Sequence, residues 1–312
     1  GSEMCIRDSA MTILLTVVVP VILVVSAAAF AQTRLKFDVR TLSRVAFYLF
    51  TPALVFDSLT NSDVSAAEFG QIAAVVLLTT FAILALGTLV SRLLRLSRPT
   101  QAAFLTCLVV MNAGNYGLSV NLFAYGQPGL ARASVSFVLT AIIASTIGVF
   151  LSARGRAGGS LALRRVFSVP MIYAALLGLA FNLGQWTVPE TFAKAIHLLG
   201  QAAVPGMLVV LGVRLAETFQ AKERLLHIPA LAAVSAGRLL VAPALAWFFS
   251  GFVGLEGLAR DGTVIECAMP TAVMATILAT EFDSDPPFAA LCILVTTLLS
   301  IPTLTLLLNL LA

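Results

Sequence analysis

Apolar residues along this chain gather into ten long blocks rather than the short alternations of a soluble fold. Read as membrane spans, the blocks cover 12–31, 41–59, 69–91, 101–126, 132–152, 166–185, 193–215, 228–250, 262–282 and 288–311. Each has about the 20 residues that carry a helix across a bilayer core. Two blocks are broken in mid-span, at matching places in the two halves of the chain. The first, 102–125, is interrupted by Met111-Asn112-Ala113-Gly114-Asn115-Tyr116-Gly117, and the second, 262–282, around Met269-Pro270-Thr271. Gly, Asn and Pro at such points stop a helix and free backbone groups that hydrocarbon cannot satisfy. Breaks of this kind belong where the backbone lines a cavity, and a matched pair points to a transporter's binding site.

Composition agrees with a membrane setting. Apolar residues make up 59% of the 312 residues and charged residues 11%, well below the roughly 25% of a soluble domain. The net charge of +4 carries no nucleic-acid signal, because the basic residues sit in short loops between blocks. Arg34, Lys36, Arg40 and Arg44 flank the first loop, Arg92, Arg95 and Arg98 the third, Arg154, Arg156, Arg164 and Arg165 the fifth, and Arg214, Lys222 and Arg224 the seventh. The even-numbered loops hold only Arg132, Lys194 and Arg260. The positive-inside rule then makes the odd loops cytoplasmic and turns both termini outward, as expected for a multi-pass protein of the cell (inner) membrane. Residues 1–10 look unlike the rest and read as a tag or adaptor remnant, with Met11 the more natural start. Cys5, Cys107, Cys267 and Cys292 form neither a zinc spacing nor a disulfide framework. No motif calls for a cofactor.

The Gly- and Arg-rich fifth loop, 153–165, divides the chain into five spans (11–152) and five more (166–312). An odd number per half means that the halves insert with opposite topology. Val19-Pro20-Val21-Ile22 recurs as Val169-Pro170-Met171-Ile172, Pro52 matches Pro205, Leu139-Thr140 matches Val295-Thr296, and Gly114 falls on Pro270. The expected fold is an all-α membrane protein of ten helices in two inverted five-helix repeats, with broken helices four and nine crossing at the midplane.

Each break creates a half-helix whose N-terminus offers unpaired N–H groups and a positive dipole end. Asn115 is expected to cap the second half of span four, and Pro270 to occupy the first position of the second half of span nine. Two such N-termini at one point favour an anion, while the opposite ends present carbonyls that suit a cation. Asn112, Gly114, Asn115, Tyr116, Pro270 and Thr271 are the substrate candidates. Arg238, near the middle of span eight, is read as a counter-ion to a carboxylate, or else as a tether between helices. Glu266, one turn before Pro270, is read as a proton or sodium site, or else as the partner of Arg238. Ser136 and Thr140 lie four apart on one helix face, so they can join Glu266 and Asn115 around a hard cation such as sodium. His197 is read as packed within span seven.

At these residues the chain resembles the auxin efflux carrier family, the PIN-like carriers with bacterial members, within the bile-acid/arsenite/riboflavin transporter superfamily. The resemblance runs from Met11 onward. It is carried by Phe47-Tyr48-Leu49-Phe50-Thr51-Pro52-Ala53-Leu54-Val55-Phe56, the 112–117 break, Arg238-Leu239-Leu240-Val241-Ala242-Pro243 and Ala268-Met269-Pro270-Thr271-Ala272-Val273. It implies ten helices, a scaffold and a moving transport domain, elevator-type exchange, and organic-anion substrates such as auxin, malate or malonate. Ser119 stands where the family often has proline, and Met274 where asparagine is common. Ile265-Glu266-Cys267-Ala268-Met269 is similar to the sodium-binding part of the bile-acid symporters, which implies sodium for Glu266 and leaves a proton open. The function expected is secondary transport of a small organic anion, by a protein that is no enzyme, with the bilayer as its setting and a homodimer left open. The alternative is a membrane receptor or lipid sensor that keeps the fold without transporting.

Overall fold

The computed structural model describes residues 14–153, 170–220 and 227–311, and among them every regular element is helical. The remnant expected at 1–10 and, but for Ala153, the linker expected at 153–165 lie outside the described residues. So do Arg154, Arg156, Arg164, Arg165, Lys222 and Arg224. In chain order the helices are α1 (Leu15–Leu35), α2 (Val39–Thr60), α3 (Ala66–Leu93), α4 (Arg98–Val109), α5 (Ala113–Ser152) and α6 (Pro170–Leu183). There follow α7 (Glu190–Glu217), α8 (Ile228–Val253), α9 (Gly257–Cys267), α10 (Val273–Glu281) and α11 (Pro286–Leu311).

Seven of these, α1, α2, α3, α5, α7, α8 and α11, are long and apolar enough to cross a membrane. The sequence pattern predicts ten spans; α6, with 14 residues, is apolar but too short to count, and the two broken blocks account for the other two. The two broken spans contribute only short half-helices, α4 with 12 residues, α9 with 11 and α10 with 9. The stretch after the first break opens α5, a single long helix that also contains the fifth apolar block. Gly126 separates the two limbs of α5 with φ of 65° and ψ of −156°, a conformation open to a residue without a β-carbon.

Three prolines leave a common mark. Pro20, Pro52 and Pro243 each follow a widened π turn, at Leu14–Val18, Ala46–Phe50 and Gly237–Val241. Proline lacks the N–H for the ladder and its ring crowds the carbonyl four residues back, so the helix relaxes one turn upstream. In α2 the Ala46 carbonyl accepts both the Thr51 N–H, across the widened turn, and the Thr51 hydroxyl, at 2.7 Å.

The helices pair in a crosswise manner. The second half of α7 runs along α1, and α6 runs along the second half of α2. The second half of α8 lies on α3, α9 lies on α5, and α10 lies on α11. Small residues set the tightest approaches, as they do between membrane helices generally. A β-carbon on Gly212 of α7 would overlap the Val25 carbonyl of α1, and one on Gly178 of α6 would press on the Phe56 carbonyl of α2.

Candidate functional site

At the centre of the molecule the two broken stretches meet as short extended segments. Met111 and Thr271 form an isolated antiparallel bridge. The Asn112 N–H donates to the Pro270 carbonyl at 2.8 Å, and the Ala272 N–H to the Val110 carbonyl at 2.9 Å. Each break thus satisfies backbone groups that the other leaves open, which hydrocarbon would not do. Thr271 fixes the crossing further, its hydroxyl donating to the Cys107 carbonyl at 3.0 Å and its N–H to the Thr296 hydroxyl at 3.1 Å.

Two expectations about the caps are corrected here. Asn112, not Asn115, stands at the N-cap of α5, because the chain leaves α4 already at Val110. Both the Tyr116 and Gly117 N–H groups donate to the Asn112 carbonyl, which winds the first turn as a π turn and puts Asn115 inside it. Ala272, not Pro270, precedes α10, and Pro270 lies within the extended segment.

A cavity of about 470 Å³ opens from this crossing. Asn112, Gly114 and Asn115 from the start of α5 line it, as do Val273 and Met274 from the start of α10. The N-termini of both half-helices therefore face one space, with the orphan amides of a first helical turn and the positive dipole ends. The Asn112 amide nitrogen is buried without a partner. Phe47, Phe137, Met207, Val210 and Ile277 give apolar walls, with Thr51, Thr140 and Ser145 as hydroxyls. Arg40 and Arg44, both exposed, and half-buried Arg214 complete the lining. Asp38, the N-cap of α2, fixes where Arg40 and Arg44 begin. Its carboxylate accepts the Thr41 hydroxyl and the Arg40 N–H, and these bonds, the hydroxyl first, hold its pKa below the usual aspartate value.

Glu266 is fully buried outside this cavity. One carboxylate oxygen accepts the Asn121 amide at 3.0 Å, and the other has no partner. Asn121 also donates to the Gly117 carbonyl at 3.1 Å, and its own side-chain oxygen is left unpartnered. Arg238 is buried too, and it does not meet Glu266. Its guanidinium donates to the carbonyls of Leu108, Cys267 and Met269.

The sequence of a family described as "Membrane transport protein" matches this chain over residues 13–162 and 156–308. The chain belongs to that family. This bears out the resemblance to the auxin efflux carriers drawn from the sequence, and it makes the protein a membrane transporter rather than an enzyme. An "Uncharacterized transporter" of Methanothermobacter thermautotrophicus is 32% identical over 272 residues, covering 86% of this chain and 88% of that one. One of Methanocaldococcus jannaschii is 23% identical over 271 residues, 84% of this chain and 86% of its own. A "Putative malonate transporter" of Rhizobium meliloti is 26% identical over 270 residues, 83% of this chain and 82% of its own.

Within the transporter, the candidates read from sequence separate into two groups. Asn112, Gly114, Asn115 and Thr140 line the cavity. Tyr116, Pro270, Thr271 and Arg238 are buried behind it and build the crossing. No hydrogen bond links Glu266 to Asn115, Ser136 or Thr140; the Thr140 hydroxyl donates to the Phe137 carbonyl, and the Ser136 hydroxyl is buried without a partner. Among the described residues no three His, Cys, Asp or Glu converge on a metal position. Asn121 is the residue that sequence reasoning missed. It lies on the same face as Gly117, one turn on, and a polar residue inside an apolar helix was the available signal. His197, read as packed, is 56% exposed and shares a 2.8 Å hydrogen bond with Asp57.

Proposed function

We propose that the protein is a secondary active transporter that carries a small organic anion, a carboxylate, through the cavity at the crossed breaks. The observation that carries this reading is the convergence of two half-helix N-termini on one cavity, which Asn112 lines with a buried, unpartnered amide nitrogen in its side chain. Those groups are hydrogen-bond donors at positive dipole ends, which is the chemistry an anion needs and a cation does not. The arginines at 40, 44 and 214 add a positive field along the way in. The similarity to the "Putative malonate transporter" of Rhizobium meliloti supports a carboxylate as cargo.

The chain is read as ten spans in two inverted repeats, with α4 and the first limb of α5 forming one broken span and α9 with α10 the other. The reciprocal pairings of α1 with α7 and of α2 with α6 support this, since exchange of the halves turns one pair into the other. On this reading α1, α2, α6 and α7 form a scaffold against which the remaining helices slide in an elevator-type exchange, and their mutual pairing supports it. By the positive-inside rule the cavity faces the cytoplasm in this state, with both termini outside. Coupling runs through Glu266. A cation shared by its free oxygen and the free oxygen of Asn121 satisfies two orphan acceptors, whereas a proton satisfies one, and this favours sodium.

A thermal-shift series on the purified protein tests the cargo. Malonate and related carboxylates are expected to raise the melting temperature, and their uncharged amides are not. Stabilisation by amides or organic cations, with none by carboxylates, contradicts the reading.

A further inference from the structure

Arg238 is 2% exposed and sits in the widened turn Gly237–Val241 of α8. Gly237 beside it brings α8 hard against α4, where a β-carbon would collide with the Leu108 side chain. From there the guanidinium reaches both breaks. Nη1 donates to the Leu108 carbonyl at 3.1 Å, Nη2 to the carbonyls of Cys267 at 3.0 Å and Met269 at 2.9 Å, and Nε to Met269 at 3.2 Å. Leu108 lies in the last turn of α4, Cys267 is the last residue of α9, and Met269 follows in the break. Among the described residues no carboxylate forms an ion pair with it.

The C-terminal end of a helix is a negative pole with carbonyls that lack intrahelical partners. Here two such poles are held beside each other in a water-poor interior, and bare they would repel. Converging carbonyl oxygens from two chain segments form the kind of donor set that a hard cation takes. In this protein a guanidinium fills it.

We propose that Arg238 is a resident cation at the crossing. It occupies the carbonyl site permanently, ties the negative poles of α4 and α9 together, and removes that position from those open to a mobile coupling ion. It is a positioning residue, behind the cavity rather than in it. A coupling ion must then use the separate position at Glu266 and Asn121. This inference stands on the hydrogen bonds of Arg238 and not on the identity of the cargo, so failure of the carboxylate reading leaves it intact.

Two comparisons of melting temperature on the full-length protein test it. Arg238→Lys keeps a cation within reach of the carbonyls, whereas Arg238→Met keeps the stem and loses the charge. Lysine is expected to melt above methionine, with methionine about 5–10 °C below wild type. Arg238→Met melting as high as Arg238→Lys would overturn the proposal. In the second comparison, millimolar ethylguanidinium is expected to raise the melting temperature of Arg238→Ala but not of wild type, while the uncharged ethylurea raises neither. Equal rescue by ethylurea, or no rescue by ethylguanidinium, counts against a resident cation.

Discussion

The carboxylate of Glu266 occupies the space that a β-carbon on Gly117 would fill. α9 and the first turn of α5 therefore meet with no side chain between the acid and the backbone, at the positive end of a half-helix. Arg238 answers this on the other side, bound to the negative ends. The two buried charges of the crossing are each matched to a helix pole and not to each other. Gly117→Ala should force the Glu266 side chain out of place, at a cost of about 1–3 kcal/mol. Its melting temperature is expected to fall clearly, whereas Gly70→Ala, where nothing lies within 4 Å, should melt like wild type or higher. Equal melting of Gly117→Ala and wild type would show that the carboxylate lies elsewhere.

Coupling through Glu266 has its own signature. Sodium is expected to stabilise the purified protein over potassium or choline, and Glu266→Gln or Asn121→Ala to remove most of that difference. If sodium and potassium act alike while lower pH raises uptake, Glu266 carries a proton instead. If neither ion nor pH matters, it is a structural partner.

A third expectation concerns the end of the molecule where α2, α3 and the second limb of α5 come together. Arg132 pairs with Asp63 at 3.1 Å and with Glu68, and Arg132 and Glu68 are largely buried. Arg132→Ala leaves Glu68 without its partner and should destabilise by about 3 kcal/mol, the low end for breaking a buried pair. Asp63 is exposed, and its hydrogen bond to Arg132 holds its pKa below the ordinary aspartate value. A depressed folded-state pKa gives stability that is present above the unfolded value of about 3.9 and is lost as pH falls through the folded one. The melting temperature should therefore drop below about pH 4, and Asp63→Asn should flatten part of that drop. An identical acid limb in Asp63→Asn would remove the pair from the account.

The membrane class and the two breaks were legible because helix breakers inside apolar blocks have few explanations. Asn112, Gly114 and Asn115 line the cavity for the reason the sequence offered, as backbone that hydrocarbon cannot cover. The caps were misplaced by about three residues, α5 starting earlier and α10 later than expected, because the pairing of Met111 with Thr271 sets where each begins, and a long-range bridge leaves no local trace. Arg238 and Glu266 were recognised as buried charges, but their partners were not. Carbonyls at helix ends and the amide of Asn121 are supplied by elements far away in sequence, and single-chain spacing cannot pair them. Seven long helices stand against ten apolar blocks because α5 holds parts of two blocks, α9 and α10 divide another, and α6 is short.

The central claim is that an anion sits at the two half-helix N-termini beside Asn112. Uptake of radiolabelled malonate and related carboxylates into proteoliposomes, compared between wild type and Asn112→Ala, tests it most directly. Loss of one donor to a charged group is worth about 1.5–3 kcal/mol, so carboxylate affinity in Asn112→Ala should fall roughly tenfold or more while the protein folds as before. Saturable carboxylate uptake with that loss is the predicted result. Uptake of equal affinity in a folded Asn112→Ala protein would contradict it.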